Sequence, residues 1–360
     1  MLNAAEKQQL SDILRPVSAP RELANVYTDD QRRRLLDVVH QHGPWKLILA
    51  QHFASAEALI ATMTGAMPAG ITPTLEMFLT PTFRGYYAEH SACLYPEIQD
   101  CFFNATFLEY ARSYWNARYA KPQRMLFNIN GPCANLDPGH LDTPSFRGIR
   151  FENSPTWLCS VMGKSGLFRD HLIKMAQVIT WFSKCPKSGF TYWPDGPLRA
   201  PKRVQPPIYN RGVLVQNEMM VHRGEANGPV ESQHPLGLAL DSVFGGDPSD
   251  RDEWQVRTGG RVIARYRTDD LRFLVHWSSE VFEDLAELKK NMDGTDDLTH
   301  ERVFDTLIKD VRSRGIKVAT PSDPLHDAEF IRTLNAAYDI GGPVTYPPEA
   351  PVSPPVTRVA

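Results

Sequence analysis

Two textures of hydrophobic spacing divide the chain. Up to about residue 121, apolar positions recur at helical intervals. Asp29 and Asp30 precede QRRRLLDVVHQH, in which Leu35, Leu36, Val38 and Val39 form an apolar stripe. Ser55 can cap AEALIATMTGAM, and PEIQDCFFNATFLEYARSYWNARY, from Pro96, predicts a long aromatic-rich helix whose other face is only weakly polar. From Pro122 the runs shorten. RMLFNIN (124–130), TWLCSVM (156–162), AQVITWF (176–182), GFTYW (189–193), GVLVQ (212–216), MMVHR (219–223) and GLALDSVF (237–244) are β-branched or aromatic stretches bounded by turn residues. RVIARYR (261–267) and LRFLVHW (271–277) add two more. Such density of short strands, about nine, predicts a barrel or sandwich in place of alternating βαβ units. SGLFRDHLIK interrupts them as a lid-like loop or short helix. Helical spacing returns in SSEVFEDLAELKKNM, THERVFDTLIKDVRSR and HDAEFIRTLNAAY.

These textures predict an α+β chain with a mainly β core: a mainly helical part over 1–121, a β core over 122–280, C-terminal helices over 281–345 and a Pro-rich tail over 346–360. The four form one integrated domain. The tail, YPPEAPVSPPVTRVA, is expected to be extended or disordered unless it docks. Composition changes this picture little. Hydrophobic residues make up 42% of 360 and charged residues 22%, an ordinary globular balance. A net charge of −3 argues against a mainly electrostatic binder of nucleic acid or anionic membrane. The five cysteines are odd in number and form no CxxC pair, which predicts free thiols in a reducing compartment. The N-terminus lacks the apolar stretch of a secretory signal, and no apolar run approaches the ~18 residues of a membrane span. A soluble, cytoplasmic protein is the expectation.

The segment richest in chemistry is GPCANLDPGHLDTPSFRG. His140 and Asp142 stand two apart, so on a strand both side chains share a face. His222 follows the apolar run GVLVQNEMMVHRG. Were those strands neighbours, two imidazoles and one carboxylate would converge in the facial arrangement that leaves positions open on a non-haem Fe(II). With 11 histidines, chance alone supplies about 0.7 His-x-Asp matches, so the weight lies in the context of predicted strand ends and flanking turns. GDPSDRDEW reads as a solvated hairpin because it lacks the glycine and glutamate of a calcium loop. No GxGxxG, Walker A or GxSxG motif occurs. Trp157, Trp181, Tyr192 and Trp193 read as core rather than as a substrate wall.

The pattern resembles the phytanoyl-CoA dioxygenase-like branch of the Fe(II)/2-oxoglutarate oxygenases over residues 122–245. MLFNIN followed by GHLD matches a strand leading into an HxD element. QVITWF and SGFTYWPDGP resemble the next strand and hairpin, and VHRGEANGP places Gly224 and Asn227 after the distal histidine. The resemblance implies a double-stranded β-helix (a jelly-roll, cupin-like barrel) flanked by N- and C-terminal helices. It also implies His140, Asp142 and His222 as iron ligands, with O2 and a small organic molecule as substrates. Asn128, Asn130 and Thr180 would line a 2-oxoglutarate pocket. One departure stands out. Family members carry an arginine in the strand after the distal histidine to hold the far carboxylate of 2-oxoglutarate, whereas GPVESQHPLGLALDSVF has neither Arg nor Lys. Ser232 and His234 stand nearest the expected place. Arg223 points to the opposite face of a regular strand, and Arg265 and Arg272 lie on later strands. Two other readings therefore stay open: an oxygenase or oxidase whose substrate supplies all the electrons, and a ligand-binding barrel without catalysis. Arg147, Lys164, Arg169 and Lys174 allow an anionic substrate; its identity, the reaction outcome and the oligomeric state are not encoded legibly.

Overall fold

A computed structural model describes residues 2–53, 55–56, 59–60, 74–134, 137–229 and 232–352. The chain builds strands β1 (Arg21–Ala24), β2 (Trp45–Leu47), β3 (Thr82–Glu89), β4 (Ala92–Cys93), β5 (Tyr119–Asn130), β6 (Met175–Ser183) and β7 (Phe190–Tyr192). They are followed by β8 (Lys202–Val204), β9 (Ile208–Val215), β10 (His222–Gly224), β11 (Val243–Asp247), β12 (Asp250–Thr258), β13 (Arg261–Arg267) and β14 (Arg272–Phe282). The large sheet runs β1-β9-β6-β14-β5-β3-β2-β11-β12-β13, with β4 on β3, and the small sheet runs β10-β7-β8. Every strand pair is antiparallel. This is the expected α+β class.

Alternation along the strands sorts the two faces of the large sheet. Phe83 and Tyr87 on β3, Met125, Phe127 and Ile129 on β5, Val178 and Phe182 on β6, and Phe273, Val275 and Trp277 on β14 enter one core with the helices Asp29–His42 and Ala105–Trp115. The opposite face packs on the small sheet. Ile179 and Trp181 of β6 and Val213 and Val215 of β9 meet Phe190 and Tyr192 of β7 and Val204 of β8. A third core joins the helix Ala4–Ile13 to the helix Thr156–Ser165 and the C-terminal helices His300–Ser313 and Ala328–Ala337, with Trp193 and Val221 at its edge by the small sheet. Among the described residues no helix is long and apolar enough to cross a membrane.

Several elements differ from the sequence reading. The N-terminal part adds strands to its helices: β1, β2, β3 and β4 all join the large sheet. TWLCSVM is a helix. Leu158, Cys159, Val161 and Met162 are all buried, and within the run only Thr156 and Ser160 mark the polar side, too few to set its period. The helix read from Pro96 breaks after Phe102, and Asn104 caps a new one at Ala105 by accepting from the Phe107 N–H. The strand expected over 219–223 begins only at His222, and that over 237–244 only at Val243. GDPSDRDEW does form a hairpin, between β11 and β12. Most of AEALIATMTGAM lies outside the described residues, as does the tail beyond residue 352. Up to there the tail docks on its own chain: Tyr346 Oη donates to the Pro138 carbonyl at 2.8 Å and Arg223 Nη2 to that of Ala350 at 3.2 Å, and just before the tail Trp193 Nε1 donates to the Thr345 carbonyl at 3.2 Å.

Candidate metal centre

Backbone pairing assembles the centre. His140 and His222 exchange hydrogen bonds of 2.9 and 3.0 Å, and the Asp142 N–H donates to the Asn217 carbonyl at 3.1 Å. Gly139, with φ of +108°, allows the turn that delivers His140 into this bridge. The segment after β5 therefore runs alongside β10 at the edge of the small sheet. One ligand atom from each of His140, Asp142 and His222 lies within 4.8 Å of the others. The imidazole centroids are 4.5 Å apart, and His222 Nε2 stands 3.7 Å from Asp142 Oδ1.

The hydrogen bonds around the triad leave its donor atoms pointing at one another. His222 Nδ1 donates to the Met220 carbonyl at 3.0 Å, which fixes the tautomer with the Nε2 lone pair free. His140 Nδ1 donates to Asp137 Oδ1 at 3.1 Å, which leaves Nε2 as the nitrogen a metal would take once its proton is displaced. Asp142 Oδ2 accepts from Gln177 Nε2 at 3.2 Å, leaving Oδ1 toward the imidazoles. The same amide donates to Glu218 Oε1 at 2.8 Å, and Gln177 Oε1 accepts from the Asn217 N–H at 2.8 Å. Gln177 is thus fixed at both ends. Two nitrogens and one carboxylate oxygen, closely spaced and unspent, fit a first-row divalent ion such as Fe(II).

The charges are polarised accordingly. Loss of water around His140 opposes its charge, but the Asp137 and Asp142 carboxylates outweigh that and raise its pKa to about 9. Burial and the neighbouring His140 lower that of His222. For Asp142 burial acts upward, yet His222, His276, His140 and Arg84 hold the carboxyl below its ordinary range. Glu218, buried and beside Asp142, is pushed up to about 8. It is neutral at pH 7, and its Oε2 has no hydrogen-bond partner among the described residues.

The remaining candidates are dispersed. Asn128 is on β5 facing the small sheet and accepts from Arg84 Nε at 2.9 Å. Asn130 shares that face, donates to Thr82 and accepts through its carbonyl from Asn227 Nδ2 at 3.0 Å. Thr180 is turned away: it alternates with Ile179 and Trp181 and lies on the side of Val178 and Phe182, near Gly212 and Val26. His234 pairs with Glu76 at 2.7 Å and stands outside the triad, while the Ser232 carbonyl accepts from the Ala134 N–H at 2.7 Å. The arginines considered after His222 are engaged. Arg265 pairs with Glu253 and Asp247 at the surface, and Arg272 is buried with Nη1 on the Glu225 carbonyl at 2.5 Å. Arg147 pairs with Asp296 at 2.7 Å and Lys174 with Glu287 at 3.0 Å, so neither is a spare cation. Sequence reading missed Gln177, Glu218, His276 and Arg84. Gln177 and His276 sit inside runs read as strands, where alternation marks them as partners of the inner face; Arg84 sits in a stretch read as helical.

No protein-family model matches this sequence, and no curated protein does. Among solved structures, the chain is similar to an oxidoreductase of the 2OG-Fe(II) oxygenase family from Burkholderia pseudomallei, with 11% identity over 78% of this chain and 92% of that one and a TM-score of 0.34. It is also similar to SnoK, a non-heme alpha-ketoglutarate-dependent carbocyclase from nogalamycin biosynthesis, with 11% identity over 78% of this chain and 84% of that one and a TM-score of 0.36. At these values the likeness carries no argument, and the reading that follows rests on the side chains.

Proposed function

We propose that the chain is a non-haem Fe(II)-dependent oxygenase that oxidises a small organic molecule with O2, using 2-oxoglutarate as cosubstrate. His140, Asp142 and His222 are its metal ligands, and the two facing sheets form a double-stranded β-helix. The observation that carries this reading is the meeting of two imidazoles and one carboxylate within 4.8 Å, each oriented by a hydrogen bond on its far atom. His140, Asp142 and His222 would hold ferrous iron, which would supply electron transfer to O2. The protein's own residues do the rest. Asp137 keeps the proton on His140 Nδ1, so that Nε2 is the ligating atom. The Met220 carbonyl does the same for His222. Gln177 holds Asp142 Oδ2, which makes the carboxylate a one-oxygen ligand. Phe190, with its ring 5.7 Å from that of His222, closes one side of the centre against water.

The test is metal stoichiometry together with oxygen uptake. The anaerobically loaded protein is expected to bind one Fe(II), and 2-oxoglutarate is expected to produce a charge-transfer absorption and stimulate O2 consumption. His140→Ala and Asp142→Ala should lose both. Retention of the metal and of 2-oxoglutarate-dependent oxygen uptake by both variants would falsify the assignment.

A further inference from the structure

One partly buried cation near the triad has no carboxylate hydrogen-bond partner among the described residues. Arg84 lies on β3, paired with Asn128 of β5 across the register, and Asn128 pairs with Leu274 of β14. Phe83 and Tyr87 flank it on the opposite, core face. Alternation therefore turns Arg84, Asn128 and Leu274 toward the small sheet, where Leu274 packs on the core between the sheets.

None of its direct partners among the described residues is a carboxylate. Arg84 Nε donates to Asn128 Oδ1 at 2.9 Å, and Nη1 donates to His52 Nε2 at 3.3 Å, the guanidinium having no acceptor to offer. The Tyr86 side chain is a further hydrogen-bond partner. Burial and the cation itself depress His52 to about 4, so it is an uncharged acceptor at pH 7. On β14, His276 faces the same space; burial takes it to about 4, and its Nε2 is without a partner among the described residues. The acidic group that Arg84 does feel is Asp142. A cation drawn even partly out of water is costly unless a countercharge or ligand compensates it. Among the described residues no carboxylate stands in hydrogen-bond contact with Arg84 to compensate it.

We propose that Arg84 is the carboxylate-recognising cation of this site: its guanidinium, oriented by Asn128 and His52, grips a carboxylate of an organic acid lying between the large sheet and the triad. This rests on the reading of the triad as a metal centre, because Asp142 is then committed to the metal and leaves Arg84 to the ligand. A planar guanidinium held at two nitrogens presents its remaining N–H groups in fixed directions, which suits a carboxylate better than a flexible ammonium does. The carboxylate has two sources, the far end of 2-oxoglutarate or a carboxylate on the molecule being oxidised. Either way the cation comes from β3, near the N-terminus, and not from a strand following the distal histidine.

The experiment uses the full chain loaded anaerobically with Co(II), with three probes: 2-oxoglutarate, 2-oxobutyrate, which lacks the second carboxylate, and glutarate, which lacks the oxo group. Metal stoichiometry is measured first and separately. Arg84→Gln and Arg84→Lys are compared with the unaltered protein at equal stoichiometry. If the carboxylate is the cosubstrate's, Arg84→Gln weakens 2-oxoglutarate by about tenfold or more and 2-oxobutyrate by less than about twofold, with partial recovery in Arg84→Lys. If it is the substrate's, 2-oxoglutarate is unchanged and glutarate is weakened by about tenfold. Metal retained with all three probes unaffected by Arg84→Gln overturns the inference and leaves the metal centre standing. A protein that binds no metal fails the functional reading instead, and glutarate binding, compared between the unaltered protein and the Arg84→Gln variant, still decides for or against the cation. Should Arg84→Gln not fold, Arg84→Lys with Asn128→Ala carries the same comparison.

Discussion

Substituting Glu225 by glutamine removes one charge and almost no volume, and the structure gives the size of the effect. Glu225 follows β10 closely and its side chain is 2% exposed. Arg203 of β8, 9% exposed, donates from Nε to Oε1 at 2.7 Å and from Nη2 to Oε2 at 2.6 Å. Thr191 Oγ1 of β7 adds 2.7 Å to Oε1, and the Gly189 N–H adds 3.1 Å to Oε2. One carboxylate thus fastens all three strands of the small sheet, and it is also the first countercharge to the buried Arg272. Glutamine retains one acceptor oxygen and turns an N–H2 toward donors. Breaking a buried pair in this way costs about 3–5 kcal/mol, because the surviving cation remains buried. Two stranded cations place Glu225→Gln toward the top of that range. The assay is denaturant unfolding followed by tryptophan fluorescence, with the midpoint falling at unchanged slope. A cycle with Arg203→Met tests the cause: the double variant should be less destabilised than the sum of the singles by about 1–3 kcal/mol. Since β10 carries His222, metal affinity should fall in Glu225→Gln as well. A loss below about 1 kcal/mol, or strict additivity in the cycle, refutes the reasoning.

Gln177→Met fills the same space without the amide. It should weaken Fe(II) or Co(II) binding by about 10- to 100-fold in a chelator competition, as loss of a ligand's outer hydrogen bond does, and lower stability by about 1–3 kcal/mol because the buried Asn217 N–H loses its acceptor. Metal binding should be pH-dependent with a definite sign. His140 in the metal-free protein is raised from 6.5 to about 9, so the stabilisation it contributes is full below pH 6.5 and is lost as pH rises through about 9. The metal must displace that proton, so affinity climbs with pH across this window by up to about tenfold per unit and flattens above it; calorimetry in buffers of different ionisation enthalpy counts the proton released. A pH-independent affinity would remove His140 as the ligand that gives up a proton. Gly148→Ala should destabilise the fold without touching the triad. Gly148 has φ of +86°, and a Cβ there would strike the backbone of Leu298, so the loss should exceed about 1–3 kcal/mol by chemical denaturation with metal stoichiometry unchanged.

What could be read in the sequence follows the physics of burial. Strands with one core face and one different face keep their period of two, and RVIARYR, AQVITWF and LRFLVHW are found where the alternation places them. The helix Thr156–Ser165 packs on the N- and C-terminal helices, so its polar side narrows to Thr156, Ser160 and Lys164, and its apolar run reads as a strand. β3 escaped for a different reason. Its code, TFRGYYAE, alternates correctly, but it lies among helical segments and its partners, β2 and β5, are remote in sequence. The His-x-Asp spacing drew attention to His140 and Asp142, yet their meeting with His222 depends on the mutual backbone pairing of two irregular segments, which no local period encodes. Arg84 and Gln177 are harder still, because a buried polar residue on a strand looks like any solvent-facing one until the second sheet is in place.

That second sheet explains why the centre is where it is. The triad belongs to the edge of the small sheet, whereas Gln177, Asn128, His276 and Arg84 belong to the large one. The distance between the two sets is fixed by the aromatic and β-branched layer of Ile179, Trp181, Phe190, Tyr192, Val204 and Val213, which is almost wholly buried. β6 shows the division within a single strand: Ile179 and Trp181 fill the layer, and Gln177, two residues earlier on the same face, ends it and reaches Asp142. Where the apolar filling stops, polar groups can face each other across the gap without clashing. A larger side chain in that layer would therefore act on the centre by parting the sheets, lengthening the Gln177–Asp142 bond before it disturbed any ligand directly. The close packing of protein interiors makes such strain travel instead of dissipating locally.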